Sequence, residues 1–429
     1  MVKKILRYFG MAEEDTFGTP VEAIAHLDIS GCTLDAPNKT TMTYKGGMGR
    51  SQTLWRPDFY SIVGNVDFAP DLKTIGYFLK WVLGGYVYTA AAPHDVTIAV
   101  DTVGGDSTTI KTGNASIVGA THLVLTTVSA TSFVSGTNIR IGTSHGYTTE
   151  YRTIASVVSG TGTISFATPL ENTHTALTPV VEIDALPTEI THHRHEFYGT
   201  DNYDLPSFTA RVGKDQFEHT FVGCKVSSFG LKIDTGLAKC TIGVVGQKDQ
   251  RDTLKEVAAL LIPAEYPLAY YEANAYIDAA NTDISPKVKS LDLQIKNAIA
   301  ATDGKTIGSR FPSYLYAGDR ETTLAMTMNF DDMDMCERYW GGTLGPADEG
   351  QLEFPMKLLF SRGDWDTLEV KMPKVLLESV KTTASGRDLI TQDITCTALL
   401  DTSVLLAGGV TSVSTEILAT LINEQGDMS

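Results

Sequence analysis

Short runs in which apolar and polar residues alternate occur along most of the chain, a pattern typical of half-buried β-strands. Two of these runs, residues 61–68 and 323–330, are each followed within three residues by apolar residues at helical spacing. The two helical segments, residues 71–83 and 331–340, both open on Asp and are both followed by a pair of glycines, as is common for helices. The pattern predicts a mainly β fold with single amphipathic helices laid on the sheets.

The segments that follow the two predicted helices correspond as well. Residues 224–236 and 373–386 each place Lys-Val near the start of a predicted hairpin and a glycine in its turn, with one residue of slip. Each hairpin is followed by another alternating run, at residues 240–244 and 394–398. Because the same elements occur twice in the same order, the sequence predicts an internal duplication, in which the Phe residues that end the first two runs are equivalent.

Residues 86–188 differ in composition from the rest of the chain. They contain no Cys, Met or Trp, and their charged residues are only four Asp, three Glu, one Lys and two Arg. Thr, Ser, Val and Gly dominate, in short alternating runs between turn residues. This composition predicts a small all-β module inserted into the first copy.

These patterns define the expected parts of the chain. Residues 252–262 predict a short helix that ends before Pro263, and the Ser-, Thr- and Gly-rich sequence after Asp401 predicts a mobile arm. The expected parts are a first β core at residues 1–88 and 189–248, an inserted β module at residues 89–188, a second β core at residues 249–403 and a C-terminal arm at residues 404–429.

The composition excludes some classes of protein. The 429 residues carry a formal charge of −17 and contain no run of basic residues, so duplex nucleic acid is not expected as a tight ligand. No window approaches the ~20 apolar residues of a membrane-spanning helix, and the acidic residues after the basic N-terminus argue against a cleaved signal peptide. The five cysteines have no C-x-x-C spacing, which predicts buried thiols.

Two motifs suggest chemistry, and each has a simpler interpretation. Residues 142–146 fit the G-x-S-x-G pattern, with Ser144 as the nucleophile, but the residues that follow are β-like, so an ordinary turn is favoured. His193 and His195 would share one face of a strand and, with a further ligand, hold a metal ion. Arg194 lies between them and no second ligand group has matching spacing, so a solvated or interface strand is favoured. The sequence therefore predicts no enzyme, metal site or cofactor.

Four short motifs resemble the phage major tail proteins, the tail tube family. They are the acidic, Thr-rich opening that runs into Gly-Thr-Pro at residues 9–20, the strand and helix that end at Gly84–Gly85, the strand at residues 205–209, and the hairpin start at residues 223–229. The resemblance covers about residues 1–88 and 190–400, and the order of all four motifs carries it. It implies a β-sandwich or partial barrel with a packed helix.

The resemblance also implies a function. Family members close into rings that stack into a tube, through which DNA leaves the capsid without being specifically bound, and the family works with tape-measure and tail-terminator proteins. A duplicated chain would form a trimeric ring with six-fold pseudosymmetry, and a hexamer is the alternative. We therefore expect a structural protein of the virion tail, made in the host cytoplasm. Acidic side chains in the channel would repel the phosphates of the DNA.

Two Gly-rich, positively charged connections precede the predicted helices and occupy the place of the ring-stacking loop in the family. The first carries Lys45, Arg50 and Arg56, and the second carries Lys305, Arg310 and Arg320. They could dock on the acidic face of the next ring, and ordinary solvated loops are the alternative.

The inserted module would project outward from such a tube, as an inert spacer or as a surface that touches glycans. The rival function for the whole chain is a carbohydrate-binding, adhesin-like β protein of a virion. These functions differ in their assembly, since a tube protein polymerises and an adhesin remains a discrete oligomer.

Overall fold

The structure is a computed structural model, and it forms two compact units. One consists of Met1–Thr89, Arg194–Ser361 and Thr367–Ser429, and the other of Ala90–His193 with Arg362–Asp366. The structure describes the whole chain except residues 1–6, 36–40, 45–53, 91–93, 96–106, 112–119, 127–132, 142–149, 159–160, 171–173, 175, 177, 184–188, 191–192, 215–216, 256–259, 263–264, 344, 347–349, 363–365, 384–388, 407–410 and 429.

The larger unit has two halves, and the first half, as the term is used below, ends at Asp252. Its elements are β1 (Arg7–Glu13), β2 (Ala25–Leu27), β3 (Gly31–Cys32), β4 (Thr41–Tyr44), β5 (Leu54–Pro57), β6 (Ile62–Phe68), α1 (Ile75–Leu83), β7 (Gly84–Ala90) and, after the smaller unit, β16 (His193–Gly199), β17 (Phe208–Lys214), β18 (Phe217–Ile233), β19 (Lys239–Gly246) and β20 (Lys248–Asp252).

The second half begins at Ala273 and, like the first, consists mainly of antiparallel strands with one helix. Its elements are β21 (Ala273–Ile277), β22 (Thr282–Asp283), β23 (Val288–Lys296), β24 (Glu321–Asn329), α2 (Asp334–Trp340), β25 (Phe354–Arg362), β26 (Asp366–Thr383), β27 (Thr391–Leu399), β28 (Asp401–Leu405), β29 (Ser412–Thr415) and β30 (Leu418–Asn423), with 3₁₀ turns at Tyr270–Glu272 and Ala301–Gly304. The predicted mainly β fold is confirmed.

The smaller unit contains β8 (His94–Asp95), β9 (Ser107–Thr109), β10 (His122–Val124), β11 (Asn138–Ile141), β12 (Glu150–Val158), β13 (Thr163–Phe166), β14 (Pro179–Ile183) and β15 (Glu189–Ile190). Six of these strands form one sheet in the order β10-β13-β12-β11-β14-β9, and β8 pairs with β15. The unit has its own apolar core, which includes Ile110, Leu123, Ile139, Ile164 and Val180.

The strand pairing of the first half recurs in the second. In the first half, β6 pairs with β19, and β19 pairs with β18. In the second half, β24 pairs with β27, and β27 pairs with β26. All these pairs are antiparallel, and each half places its helix between the first of these strands and the hairpin.

A β-bulge at the same place in each hairpin fixes which residues correspond. The register of β18 shifts between Val226 and Ser228, and the register of β26 shifts between Leu377 and Ser379. With the bulges aligned, the strand partners place Phe68 at the position of Met328. The correspondence of Phe68 with Phe330 that the sequence predicts is therefore wrong by two residues.

The helices end where the sequence predicts, but they begin later, at Ile75 rather than at residue 71 and at Asp334 rather than at residue 331. The Asp71 carboxylate accepts hydrogen bonds from the backbone N–H of Lys73 and of Thr74, each at 2.8 Å, in the turn that leads into α1. Gly84 and Gly341 end the two helices with φ of 83° and 69°. Glycine adopts this left-handed conformation without the steric cost that a Cβ atom imposes.

Two local predictions are wrong. The C-terminal segment is not a mobile arm, because β30 pairs with β26 from Thr367 to Lys371 and most of its side chains are buried. The described parts of residues 252–262 are not helical, since Asp252 ends β20 and residues 253–255 and 260–262 are irregular. The partner of β30 in the sheet decides the conformation of the C-terminal segment, and local composition does not reveal that partner.

Candidate assembly surfaces

Eight strands form one continuous antiparallel row that spans both halves. Their order is β26-β27-β24-β23-β18-β19-β6-β3. The halves meet where β18 pairs with β23, in a register that sets Ser228 opposite Lys296 and Ile233 opposite Leu291. We call this pairing the internal joint. It joins the hairpin of the first half to the sheet of the second by backbone hydrogen bonds.

The two ends of this row are strand edges. At one end, residues 374–383 of β26 pair with β27, and the pairing of β26 with β30 involves only Thr367–Lys371. At the other end, β3 pairs with β6, and the pairing continues through an isolated bridge between Asp35 and Val63. Lys214 Nζ lies 3.3 Å from the carbonyl oxygen of Leu34 on this second edge. Strand edges of this kind are templates for a strand of another chain.

The row has one apolar and one polar face. Side chains alternate between buried and more exposed along β6, β23, β24 and β27, and along residues 239–242 of β19. The polar face carries charges of both signs and many small polar groups, namely Asn65, Asp67, Lys232, Lys239, Thr241, Asp292, Gln294, Lys296, Glu321, Thr323, Thr327, Lys381, Asp393 and Thr395.

A cross-strand Thr–Asp pair occurs on the polar face of both halves, but the strand that carries Thr in one half carries Asp in the other. Thr241 Oγ1 of β19 donates to Asp67 Oδ1 of β6 at 2.7 Å. Thr327 Oγ1 of β24 donates to Asp393 Oδ1 of β27 at 2.8 Å. The bulge alignment places Thr241 at the position of Asp393 and Asp67 at the position of Thr327. The halves therefore agree in side-chain chemistry as well as in topology.

The two basic connections before the helices differ in structure. The first forms a hairpin, in which β4 and β5 pair from Thr41 opposite Pro57 to Tyr44 opposite Leu54. Arg56 is exposed on β5. Lys45 and Arg50 lie outside the described residues.

The second connection lies on the base of the first. Tyr60 N–H donates to the carbonyl oxygen of Arg310 at 2.7 Å, Arg310 Nε donates to the carbonyl oxygen of Asp58 at 3.1 Å, and Lys305 Nζ lies 5.8 Å from the ring of Phe59. Tyr60 also donates its hydroxyl to a carboxylate at the start of β20, Asp249. Burial and this hydrogen bond raise the pKa of Tyr60 above its usual value.

Arg320 does not belong to this exposed group. Its side chain is 12% exposed and forms an ion pair with Glu416, with one N–O distance of 3.1 Å. It also donates to the carbonyl oxygen of Thr200 at 3.0 Å. The structure therefore brings Lys305 and Arg310 to the base of the first connection, whereas Arg320 holds the end of the second connection to the body of the unit.

The two candidate metal ligands differ in their burial. His195 is fully buried, with its ring nitrogens 3.0 Å from the Tyr86 hydroxyl and 2.9 Å from the carbonyl oxygen of Gln425. His193 is half-buried at the start of β16. Among the residues that the structure describes, no three His, Cys, Asp or Glu side chains are grouped as metal ligands. Ser144 lies outside the described residues.

The thiols are mostly in the core. Four of the five cysteines are buried and Cys32 is half-buried. Burial raises the pKa of Cys224, Cys240 and Cys396, to about 12 for Cys396. These thiols therefore stay protonated near neutral pH and act as small apolar side chains.

Sequence reasoning missed the two strand edges. Asp35 and Lys381, which lie on them, were not among the predicted site residues. The duplicated order of elements was the available signal. The two strands that pair at the internal joint each have an equivalent strand in the other half, and those equivalents lie at the two ends of the row. The structure was needed to show which strands those are.

These observations define a mainly β protein with two halves of matching strand pairing. A family model described as phage tail tube protein matches residues 6–398, so the chain belongs to the phage tail tube protein family. A search of curated proteins finds no match. Within the described part of the chain, no helix is long and apolar enough to span a membrane.

Proposed function

We propose that this chain is the repeating subunit of a tail tube, in which three chains close into a ring and the rings stack. The internal joint is the observation that carries this proposal. It shows how the sheet of one half continues into the sheet of the other, and each chain has one further edge of each kind at the ends of its row. Pairing those edges between chains generates a heterologous interface that closes when the rotation allows.

Two matching halves per chain favour the trimer over the alternative hexamer. Three chains provide six copies of the same sheet, so the ring has six-fold pseudosymmetry. We propose that the two halves, with the first interrupted by the smaller unit, correspond to the two duplicated cores that the sequence predicts. The second core in this proposal extends through β30, because that strand occupies beside β26 the place that β20 occupies beside β18.

The polar face of the eight-stranded row is the proposed lining of the channel. The opposite face is buried in the core and cannot face solvent. The acidic residues that would face DNA there include Asp67, Asp292, Glu321 and Asp393, together with lysines such as Lys232 and Lys296. We therefore propose a lining of mixed charge, which lets a polyanion pass because no cluster of cations holds its phosphates.

We propose that the basic connections form the contacts between stacked rings. Arg56 is exposed on the hairpin, and Lys305 and Arg310 lie at the base of the same region. A chain with a formal charge of −17 offers acidic partners for these cations. Tape-measure and tail-terminator proteins are the proposed partners at the inside and the end of the tube.

The smaller unit is proposed to lie on the outside of the tube. Its neighbouring strands in the larger unit, β7 and β16, pair with each other, so a short linker can replace residues 91–192. We expect the shortened chain to form tubes like those of the full chain. Loss of tubes from a shortened chain that still folds would assign the smaller unit a role in assembly.

Electron microscopy of the purified full chain at high concentration, with light scattering on the same sample, tests the main proposal. Hollow tubes or stacked rings with three chains per ring are the expected result. Six chains per ring would support the hexamer. A discrete oligomer that never stacks would contradict the tube function and favour the adhesin-like alternative, which a glycan-binding screen of the same sample would then examine.

A further inference from the structure

We propose that the ring closes in one register, in which residues 33–35 of one chain pair antiparallel with residues 381–383 of its neighbour and Asp35 lies opposite Lys381. This inference rests on the proposed tube function and adds the identity of the contact. The partner is a second copy of this chain, and the internal joint is the template.

The first step is the equivalence of the two hairpin strands. The bulge in β18 precedes Ser228 and the bulge in β26 precedes Ser379. Counting from these residues, Gly230 corresponds to Lys381 and Lys232 corresponds to Thr383. In the internal joint, the strand segment that contains Gly230 and Lys232 is the one that pairs with β23.

The second step is the equivalence of the two receiving strands, the strands on which a hairpin strand pairs. They are β23 at the internal joint and residues 33–35 at the end of the row. Ser228 pairs with Gly243, which pairs with Asn65, and the backbone N–H of Thr33 donates to the carbonyl oxygen of Asn65 at 2.9 Å. The same path in the second half leads from Ser379 through Thr395 and Ala325 to Asp292. Thr33 therefore corresponds to Asp292, and Asp35 corresponds to Gln294.

The internal joint then gives the register between chains. It sets Gly230 opposite Gln294 and Lys232 opposite Asp292. Replacing each residue by its equivalent sets Lys381 opposite Asp35 and Thr383 opposite Thr33. A slip by one residue would turn the apolar side chains of one strand to the polar face, and a slip by two residues would remove the pairing of Lys381 with Asp35.

The charges at the two edges fit this register. Lys381 and Asp35 are both exposed, and opposite charges that face each other across antiparallel strands stabilise the pairing. The internal joint has the same chemistry two residues away, where Lys232 of the hairpin strand faces Asp292 of the receiving strand. Each joint therefore sets one lysine of a hairpin strand against one aspartate of a receiving strand.

The test is disulfide capture between two singly substituted chains, Asp35→Cys and Lys381→Cys, mixed before assembly and then oxidised. A dimer on a non-reducing gel is expected from the mixture and from neither variant alone. The wild-type chain controls for its five native cysteines. Asp35→Cys mixed with Thr383→Cys is the matched offset control, because these positions differ from the proposed register by two residues, and less dimer is expected from it.

Charge reversal gives a second readout that needs no thiol. Asp35→Lys and Lys381→Asp are each expected to reduce the fraction of chains in tubes severalfold, since each sets like charges opposite each other. The double variant restores the opposite charges and is expected to recover most of the tubes. Circular dichroism of the unassembled variants checks that each one folds.

The outcomes separate this register from the proposed function. Rings or tubes that form while the Asp35–Lys381 mixture gives no more dimer than the offset control would overturn the register and leave the tube function intact. Failure of the double charge reversal to recover assembly in folded chains would also overturn it. A wild-type chain that forms no rings under any condition would overturn the tube function and the register with it.

Discussion

The two halves of the larger unit have the same strand pairing but cover their helices differently. All nine residues of α1 are buried, whereas in α2 only Met335 and Cys336 are buried. The topology is therefore not what buries α1. Asn297 and Asn423, both from the second half, donate to the carbonyl oxygens of Val82 and Leu72 at 2.8 and 2.7 Å.

The C-terminal residues complete this cover. Met428 packs so closely on α1 that a Cβ atom added at Gly76 would lie 2.8 Å from its side chain. Lys80 Nζ, buried on α1, contacts the carbonyl oxygen of Met428 at 2.9 Å and Glu13 at 2.7 Å. The second half thus encloses the helix of the first, while no equivalent cover appears on α2 among the described residues. Repeated topology does not give repeated burial, because the residues that enclose α1 come from the other half of the unit.

The largest expected effect is a difference in stability between variants of two tryptophans, one on each helix. Trp81 is fully buried, stacks on Phe208 at 4.3 Å and donates to Glu13 at 2.9 Å. We expect Trp81→Ala to lower the free energy of unfolding by about 3–5 kcal/mol. Trp340 is half-buried at the end of α2, and Trp340→Ala is expected to cost about 1 kcal/mol. Urea unfolding followed by far-ultraviolet circular dichroism measures both.

Trp81→Phe keeps the variant informative if Trp81→Ala does not fold. It retains the stacking partner and loses the hydrogen bond to Glu13, so an intermediate loss of about 1–3 kcal/mol is expected. Equal losses at Trp81 and Trp340 would contradict the difference in cover between the two helices.

The next largest effect is a difference in stability between arginine variants of the two basic connections. Arg320→Ala leaves Glu416, whose side chain is 11% exposed, without its ion-pair partner, and we expect it to lower the free energy of unfolding by about 2 kcal/mol. Arg56→Ala removes an exposed side chain from the hairpin, and a change within about 0.5 kcal/mol is expected. Thermal unfolding measures both.

Assembly should show the opposite order for these two arginines. Tube formation, followed by light scattering, should weaken more in Arg56→Ala than in Arg320→Ala when the two are compared under conditions where both are folded. The Arg56 effect should also shrink at high salt, since exposed charges are screened. If Arg56→Ala assembles like the wild type at low salt, the proposed role of the hairpin in ring stacking is contradicted.

A smaller effect uses the distribution of histidines, all nine of which precede residue 220. Burial is the largest cause that lowers the pKa of His26 and of His219 below 6.5, and nearby Lys255 and Lys214 lower it further. Because each folded-state pKa lies below the unfolded value, the unfolded chain binds more protons as the pH falls below about 6.5. Stability is therefore complete above that pH and decreases below it, and the second half contributes nothing to this histidine effect.

The variants His26→Gln and His219→Gln test this pH dependence. Each is expected to flatten the fall in unfolding free energy between about pH 6.5 and pH 5, where one proton contributes at most about 1.4 kcal/mol per pH unit. His26 Nδ1 accepts a hydrogen bond from Leu261 N–H at 3.1 Å, so its variant also loses stability at neutral pH. An unchanged slope in the double variant would contradict the prediction.

The sequence predicted the order of the elements but not the correspondence of their residues. Alternation along a strand identifies a side chain's face, and a slip of two residues leaves every face unchanged. Phe68 could therefore be matched to Phe330 when the strand partners place it at Met328. The C-terminal ends of the helices were predictable because the glycines that end them are a local signal. The strand β30 was not predictable, because its partner Lys371 lies far away in the sequence.

The smallest effect tests whether the two halves agree in energy where they agree in chemistry. Double-mutant cycles with Thr241→Val and Asp67→Asn in the first half, and Thr327→Val and Asp393→Asn in the second, isolate the exchanged Thr–Asp pairs. We expect a coupling of about 0.5–1 kcal/mol in each half. The two values should agree within about 0.5 kcal/mol, because the pairs occupy equivalent positions on the exposed face. A pair that is coupled in one half and uncoupled in the other would show that the repeat has kept its geometry and lost its energetic equivalence.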